Sequence, residues 1–78
     1  SGCWFEGGSA SIHVGVDPDF RPAGKAHPAL LVDDLAAVRG ALERHGYAVA
    51  EDTPIEGYDR LFTRDGFGNR IELMQRRA

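Results

Sequence analysis

One cysteine, Cys3, stands among 78 residues, so no disulfide can form within the chain. That fits a reducing compartment, and the cytoplasm is the expected location. Positive charge is also scarce: nine Lys and Arg face 12 Asp and Glu, for a net charge of −3. Without a basic field there is little to attract phosphates, which argues against a nucleic-acid partner. Arg76 and Arg77 alone make a solubilising tail rather than a patch. No run approaches the ~18 apolar residues of a membrane span, and no signal-peptide pattern is present, so no membrane partner is expected. P-loop, dinucleotide and Ser/His/Asp signatures are missing. Cys3 has no adjacent base, so the sequence carries no signal for nucleophilic catalysis.

What is present suffices for one small domain that buries roughly 60–65% of its unfolded surface and is marginal alone. Residues 3–6 read as a short strand, and Gly7-Gly8-Ser9 as a hairpin turn. From Ser11 to Val16 the residues alternate: Ile12, Val14 and Val16 point one way, Ser11, His13 and Gly15 the other. Pro18 and Pro22 make residues 17–25 a linker. Ala26 to Val32 is the next strand, with Pro28 suggesting an edge or a strand start. Asp33-Asp34 caps a helix from Leu35 to His45 whose stripe is Leu35, Val38, Ala41 and Leu42, with Gly46 as its stop. Gly40 lies inside the helix, where close packing on the sheet would account for it. Strands are predicted at Tyr47–Glu51, Asp59–Arg64 and Asn69–Gln75, the last two joined by the turn Asp65-Gly66-Phe67-Gly68. The fold class is therefore α+β, with the order β-α-β-β-β from Ala26 and one helix on an antiparallel-rich mixed sheet. The chain has no initiator Met and reads as starting inside a strand, so a fragment of a longer protein is expected.

Two segments resemble each other. Gly7 to Val14 set above Gly66 to Leu73 aligns the glycine, the isoleucine and the polar residue that follows, placing His13 over Glu72. The helix needs an apolar sheet face, which Leu30, Val32, Ile71 and Leu73 supply. The opposite face then carries His13, His27, Arg70, Glu72 and Met74. A partly polar, concave sheet surface is where a small-molecule ligand would sit. A His and a Glu on two strands of one sheet can share a divalent metal.

The runs His27-Pro28-Ala29-Leu30-Leu31-Val32-Asp33-Asp34-Leu35 and Arg60 to Leu73, with the helix end His45-Gly46 between them, resemble the vicinal oxygen chelate superfamily. That superfamily includes glyoxalases, bleomycin- and fosfomycin-resistance proteins and extradiol dioxygenases, and the tone here is closest to uncharacterised bacterial glyoxalase-like proteins. The turn departs from the usual Asp-Pro-Phe-Gly-Asn by one residue, Gly66 in place of proline, which loosens the turn without abolishing it. The resemblance implies paired βαβββ modules around a site whose ligands come from the modules' first and last strands. Residues 1–16 would be the last two strands of an incomplete first module and 26–78 a whole second one. His27, Glu72 and His13 would be metal ligands, with Glu72 also catalytic. A complete site would need upstream sequence or a second chain, and a homodimer is expected.

Two imidazoles and a carboxylate suit Zn, Ni, Co, Mn or Fe(II). An open-sided ion takes a small metabolite through adjacent oxygens and acts as a Lewis acid, which points to a lyase, isomerase or dioxygenase. The competing function is a metal-free protein that sequesters a drug or metabolite, as in the bleomycin-resistance branch. Candidate substrate contacts are Arg60, Phe62, Trp4 and Arg70. Each residue also has a structural reading. His27 would be a strand-edge histidine in solvent, Glu72 a salt bridge to Arg70 or Arg60, and His13 a hydrogen-bonded neighbour of Ser11. Arg60 would be a solvated strand arginine and His45 a helix cap, while Trp4, Phe5, Tyr58 and Phe62 would be core.

Overall fold

An aromatic segment before Gly8-Ser9 and an alternating Ile12-His13-Val14 segment after it fold the N-terminal region into a hairpin, with Gly8 at φ +58° in the turn. Strands β1 (Gly2–Gly7) and β2 (Ala10–Gly15) pair antiparallel, in a computed structural model that describes residues 2–77. The register sets Phe5 against Ile12 and Cys3 against Val14 on one face, and Trp4 against His13 and Glu6 against Ser11 on the other. The connector that follows turns at Asp17, whose side chain accepts from the Asp19 amide at 2.9 Å.

The rest of the described chain builds a second sheet from β3 (Ala29–Leu31), β4 (Tyr58–Arg64) and β5 (Arg70–Arg76), covered on one face by helix α1 (Leu35–Arg44). Strand order is β3-β5-β4, with β3 parallel to β5 and β4 antiparallel to it. The architecture is the expected α+β arrangement of one helix on a mixed sheet. Among the described residues no helix is long and apolar enough to cross a membrane.

The helix is fixed at both ends by local chemistry. Asp34 accepts from the Ala37 amide at 3.0 Å, the side-chain cap that the sequence pattern calls for. Gln75 of β5 adds a second cap, its Oε1 accepting from the Leu35 amide at 2.6 Å. At the other end His45 is the C-cap and Gly46 takes φ +82°. The Tyr47 amide donates to the Leu42 carbonyl at 2.9 Å and the Gly46 amide to Glu43 at 3.1 Å, a Schellman arrangement. Leu35, Leu61 and Leu73 form the core, with Leu30, Val32, Val38, Leu42, Val49 and Ile71 packed around them. The face assignment read from alternation therefore holds: Leu30, Val32, Ile71 and Leu73 lie under the helix.

Three expectations need correction. The segment Tyr47–Glu51 is not a strand; it meets β4 only at Ala50, which exchanges two backbone hydrogen bonds with Phe62 at 2.9 and 2.8 Å. The next rung fails because the Thr63 hydroxyl takes the Ala48 carbonyl at 2.8 Å, the acceptor a longer ladder would give to Arg64. Gly40 is not required by packing, since a Cβ there would meet only the tip of the Arg44 guanidinium, at 3.2 Å. Trp4 and Phe5 are not core but exposed, because no element covers either face of the hairpin.

The β4–β5 turn is held by one carboxylate. Asp65 Oδ1 accepts from the Phe67 and Asn69 amides, both at 2.9 Å, and Oδ2 from the Asn69 side-chain amide at 2.8 Å. Burial pushes the Asp65 pKa up, but these hydrogen bonds outweigh it and hold the group below its ordinary range. Gly68 completes the turn at φ +86°, a conformation that favours glycine. This rigid turn sets the β4–β5 register, which places Phe62 opposite Glu72.

Candidate functional site

The sheet face away from α1 gathers charge. Glu72 lies in the central strand β5 and is 6% exposed, so its charge requires partners. It has two. Oε1 lies 2.9 Å from His27 Nε2, and Oε2 accepts from Arg60 Nη1 at 3.1 Å. The backbone positions the pair, because the Glu72 amide donates to the Pro28 carbonyl at 3.0 Å, next in chain to His27.

His27 faces acceptors on both sides. Its Nδ1 donates to the Lys25 carbonyl at 2.6 Å while Nε2 faces Glu72. Satisfying both requires the imidazolium, and the His27 pKa is raised accordingly, first by the Lys25 carbonyl and then by Glu72. For Glu72, burial pushes the pKa up, but the hydrogen bonds from His27 and Arg60 prevail and the net shift is downward. As the imidazolium, His27 donates Nε2–H to Glu72 Oε1 across this 2.9 Å separation.

Arg60 is not solvated, as a strand arginine was expected to be. Its side chain is 14% exposed and donates to the Thr53 carbonyl through both Nε, at 3.1 Å, and Nη2. Phe62 is buried at the centre of the face. The His27 ring meets it edge-on with centroids 5.3 Å apart, and Arg60 and Arg70 lie 5.1 and 3.9 Å from its centroid. Arg70 also approaches Asp52 at 3.7 Å. Sequence reasoning passed over Asp52, Thr53 and the Lys25 carbonyl. All three lie in connecting segments that reach the site through tertiary contacts, and no spacing rule marks such residues.

Five of the seven sequence-selected residues thus share one face: His27, Glu72, Arg60, Phe62 and Arg70. Trp4 and His13 do not join them. They face each other across the N-terminal hairpin, their rings stacked with centroids 4.4 Å apart, so His13 stands against Trp4 and not as a hydrogen-bonded neighbour of Ser11. Among the described residues no three His, Cys, Asp or Glu side chains cluster as a metal would need. The chain therefore presents two ligand types together, His27 and Glu72. These two residues would make part of a metal site and not a whole one. With Nδ1–H fixed by a carbonyl, Nε2 is the nitrogen left to bind, the usual orientation of a ligating histidine. A borderline divalent ion suits an imidazole and a carboxylate, and it would take the place now held by the Nε2 proton.

No family model matches the sequence, and no curated protein matches it closely. Among solved structures, the chain is similar to a "putative glyoxalase family protein" from Bacillus anthracis, with a TM-score of 0.89 and 39% sequence identity over 99% of this chain. The match spans 63% of that protein's length. The chain thus has a glyoxalase-like α+β fold and corresponds to less than two thirds of the relative it resembles.

Proposed function

We propose that this chain is the second module, with the end of the first, of a glyoxalase-like metal-dependent enzyme of the vicinal oxygen chelate superfamily. The single observation that carries the reading is the 2.9 Å His27–Glu72 contact, made on the open face of the sheet with Nδ1 of the histidine already tied to Lys25. His27 and Glu72 would hold Zn, Ni, Co, Mn or Fe(II), and ligands from a second copy or from further sequence would complete the set. His13, the residue aligned with Glu72 in the shorter repeat, is the candidate ligand from the first module. When bound, the metal supplies Lewis acidity toward adjacent oxygens of a small metabolite. The residues around it have separate tasks: Arg60 fixes the Glu72 carboxylate, Lys25 fixes the His27 tautomer, and Phe62 provides an apolar floor beside both.

Both Glu72 oxygens already have partners, which is the observation that favours a second reading, a metal-free protein that sequesters a small molecule on this same face. Calorimetric titration separates the two. The enzyme reading expects near-stoichiometric uptake of Zn²⁺ or Ni²⁺, release of about one proton as the metal replaces the Nε2 proton, and loss of uptake in His27→Ala. Metal uptake unchanged in His27→Ala would sink the ligand assignment. Absence of uptake in both would favour sequestration.

A further inference from the structure

Two cations of this face lack a firm anionic partner among the described residues: Arg64, which is exposed and donates to the Gly68 carbonyl at 3.2 Å, and Arg70, which is the more buried of the two. Arg60 is committed to Glu72 and Thr53 by hydrogen bonds. The Arg70 side chain is 24% exposed, lies over the Phe62 ring with its guanidinium carbon 3.9 Å from the centroid, and has one anionic neighbour among the described residues. That neighbour, Asp52, is 3.7 Å away, beyond hydrogen-bond length. Its side chain is 51% exposed, and its Oδ1 is already accepting from the Thr53 amide at 2.7 Å. A guanidinium offers five N–H donors in a planar fork. Here most of that fork is directed at nothing stronger than a loose, solvent-facing ion pair.

Beside it opens a cleft of about 280 Å³, walled by Ala48, Ala50, Phe62, Arg64, Arg70 and Asp52. The wall is mainly apolar, with Arg64 and Arg70 contributing its cations. We propose that Arg70 binds a carboxylate of a small ligand held in this cleft, and that Asp52 occupies the carboxylate's position until the ligand displaces it. The group now in place is itself a carboxylate, which sets the size and charge of what can replace it. A guanidinium fork accepts a carboxylate bidentately, a geometry stronger and more specific than the stretched Asp52 contact. The charges lining the cleft balance, Glu51 and Asp52 against Arg64 and Arg70, so it offers no net positive field for a dianion such as phosphate.

The inference rests on the enzyme reading above and narrows its substrate class to small oxygenated acids. The acid group would sit at Arg70, and the rest of the ligand would have to extend past Phe62, which the cleft shares with the His27–Glu72 pair.

The test uses metal-free, chelator-treated protein, so that its failure is separable from failure of the metal reading. Benzoate is titrated while backbone amide shifts are followed by NMR, and inorganic phosphate serves as the second probe. Benzoate is expected to move the amides of Ala50, Phe62 and Arg70. Asp52→Asn removes the competing charge and keeps an acceptor for the Thr53 amide, and it should tighten binding about two- to fivefold. Arg70→Gln should weaken it at least about tenfold, and Arg70→Lys should fall between. Unchanged or weaker binding in Asp52→Asn would overturn the displacement. Retained binding in Arg70→Gln would overturn the subsite, and phosphate binding as well as benzoate would overturn the carboxylate class. Metal uptake lost in His27→Ala alongside failed benzoate binding would leave the metal reading standing and remove this one.

Discussion

Glu72 cannot be ionised and buried without help, and its neighbours are arranged to give that help from both sides. Linkage then fixes how the trio contributes to stability with pH. The His27 pKa is raised above its ordinary 6.5, so its contribution is fully present below 6.5 and lost as pH rises through the higher folded value. The Glu72 pKa is lowered from its ordinary 4.5, so its contribution is present above 4.5 and lost as pH falls through the folded value. The pair therefore stabilises most between about 4.5 and 6.5. Urea denaturation from pH 4 to 9 should show wild type exceeding Glu72→Gln by about 1–3 kcal/mol in that window, the cost of leaving buried donors poorly matched. The gap should narrow on the alkaline side. A pH-independent difference would mean that His27 is not protonated by the pair. At this scale the sequence was informative about residue types. Alternation put His27, Glu72 and Arg70 on the non-helix face. Alternation carries no distances, so it left both Arg60 and Arg70 open as partners of Glu72; the three-dimensional approach selects Arg60.

At the scale of elements, local signals and tertiary ones part ways. The helix was legible because its determinants are local: Asp34 before it, Gly46 after it, and an apolar stripe between. The β4–β5 hairpin was legible for the same reason, since Asp65, Gly68 and Asn69 build the turn from within five residues. Tyr47–Glu51 misled because its β-like residues could not show that Thr63, from another strand, would take the Ala48 carbonyl and end the ladder after one rung. Gly40 misled in the other direction. A helix glycine invites a packing explanation, yet the space beyond its missing Cβ holds only a flexible arginine tip. Gly40→Ala should therefore stabilise the protein by about 0.5–1 kcal/mol, the helix-interior difference between the two residues. That raises Tm by about 2–8 °C for a domain of this size. Destabilisation in calorimetry would show that the helix approaches another surface at Gly40 after all.

The whole molecule is lopsided. The C-terminal sheet has a covered face and a core; the N-terminal hairpin has neither. None of its strands packs against α1, β3, β4 or β5, and a lone two-stranded hairpin is marginal in water. One of its faces aligns Cys3, Phe5, Ile12 and Val14, with Phe5 58% and Val14 48% exposed, and Val16 beyond them is 72% exposed. An aligned apolar face on a paired ribbon with free edges calls for a cover. The match spans 63% of the glyoxalase-like relative, so the cover can come from further sequence or from a second copy, and the second route is the one that can be tested on this chain. We therefore expect a homodimer in which the hairpin of one protomer packs against its partner, an association of at least about 1,000 Å² if it is to persist at micromolar concentration. Such a dimer would also give His13 a route to a His27–Glu72 pair that no described residue of its own chain completes. Light scattering should report twice the 8.5 kDa monomer mass. Thermal stability should rise with protein concentration. Val14→Lys, which charges the apolar face without touching the C-terminal core, should yield monomers and remove the concentration dependence. A wild-type monomer at micromolar concentration would rule out the dimer, and a dimer untouched by Val14→Lys would move the interface off the hairpin.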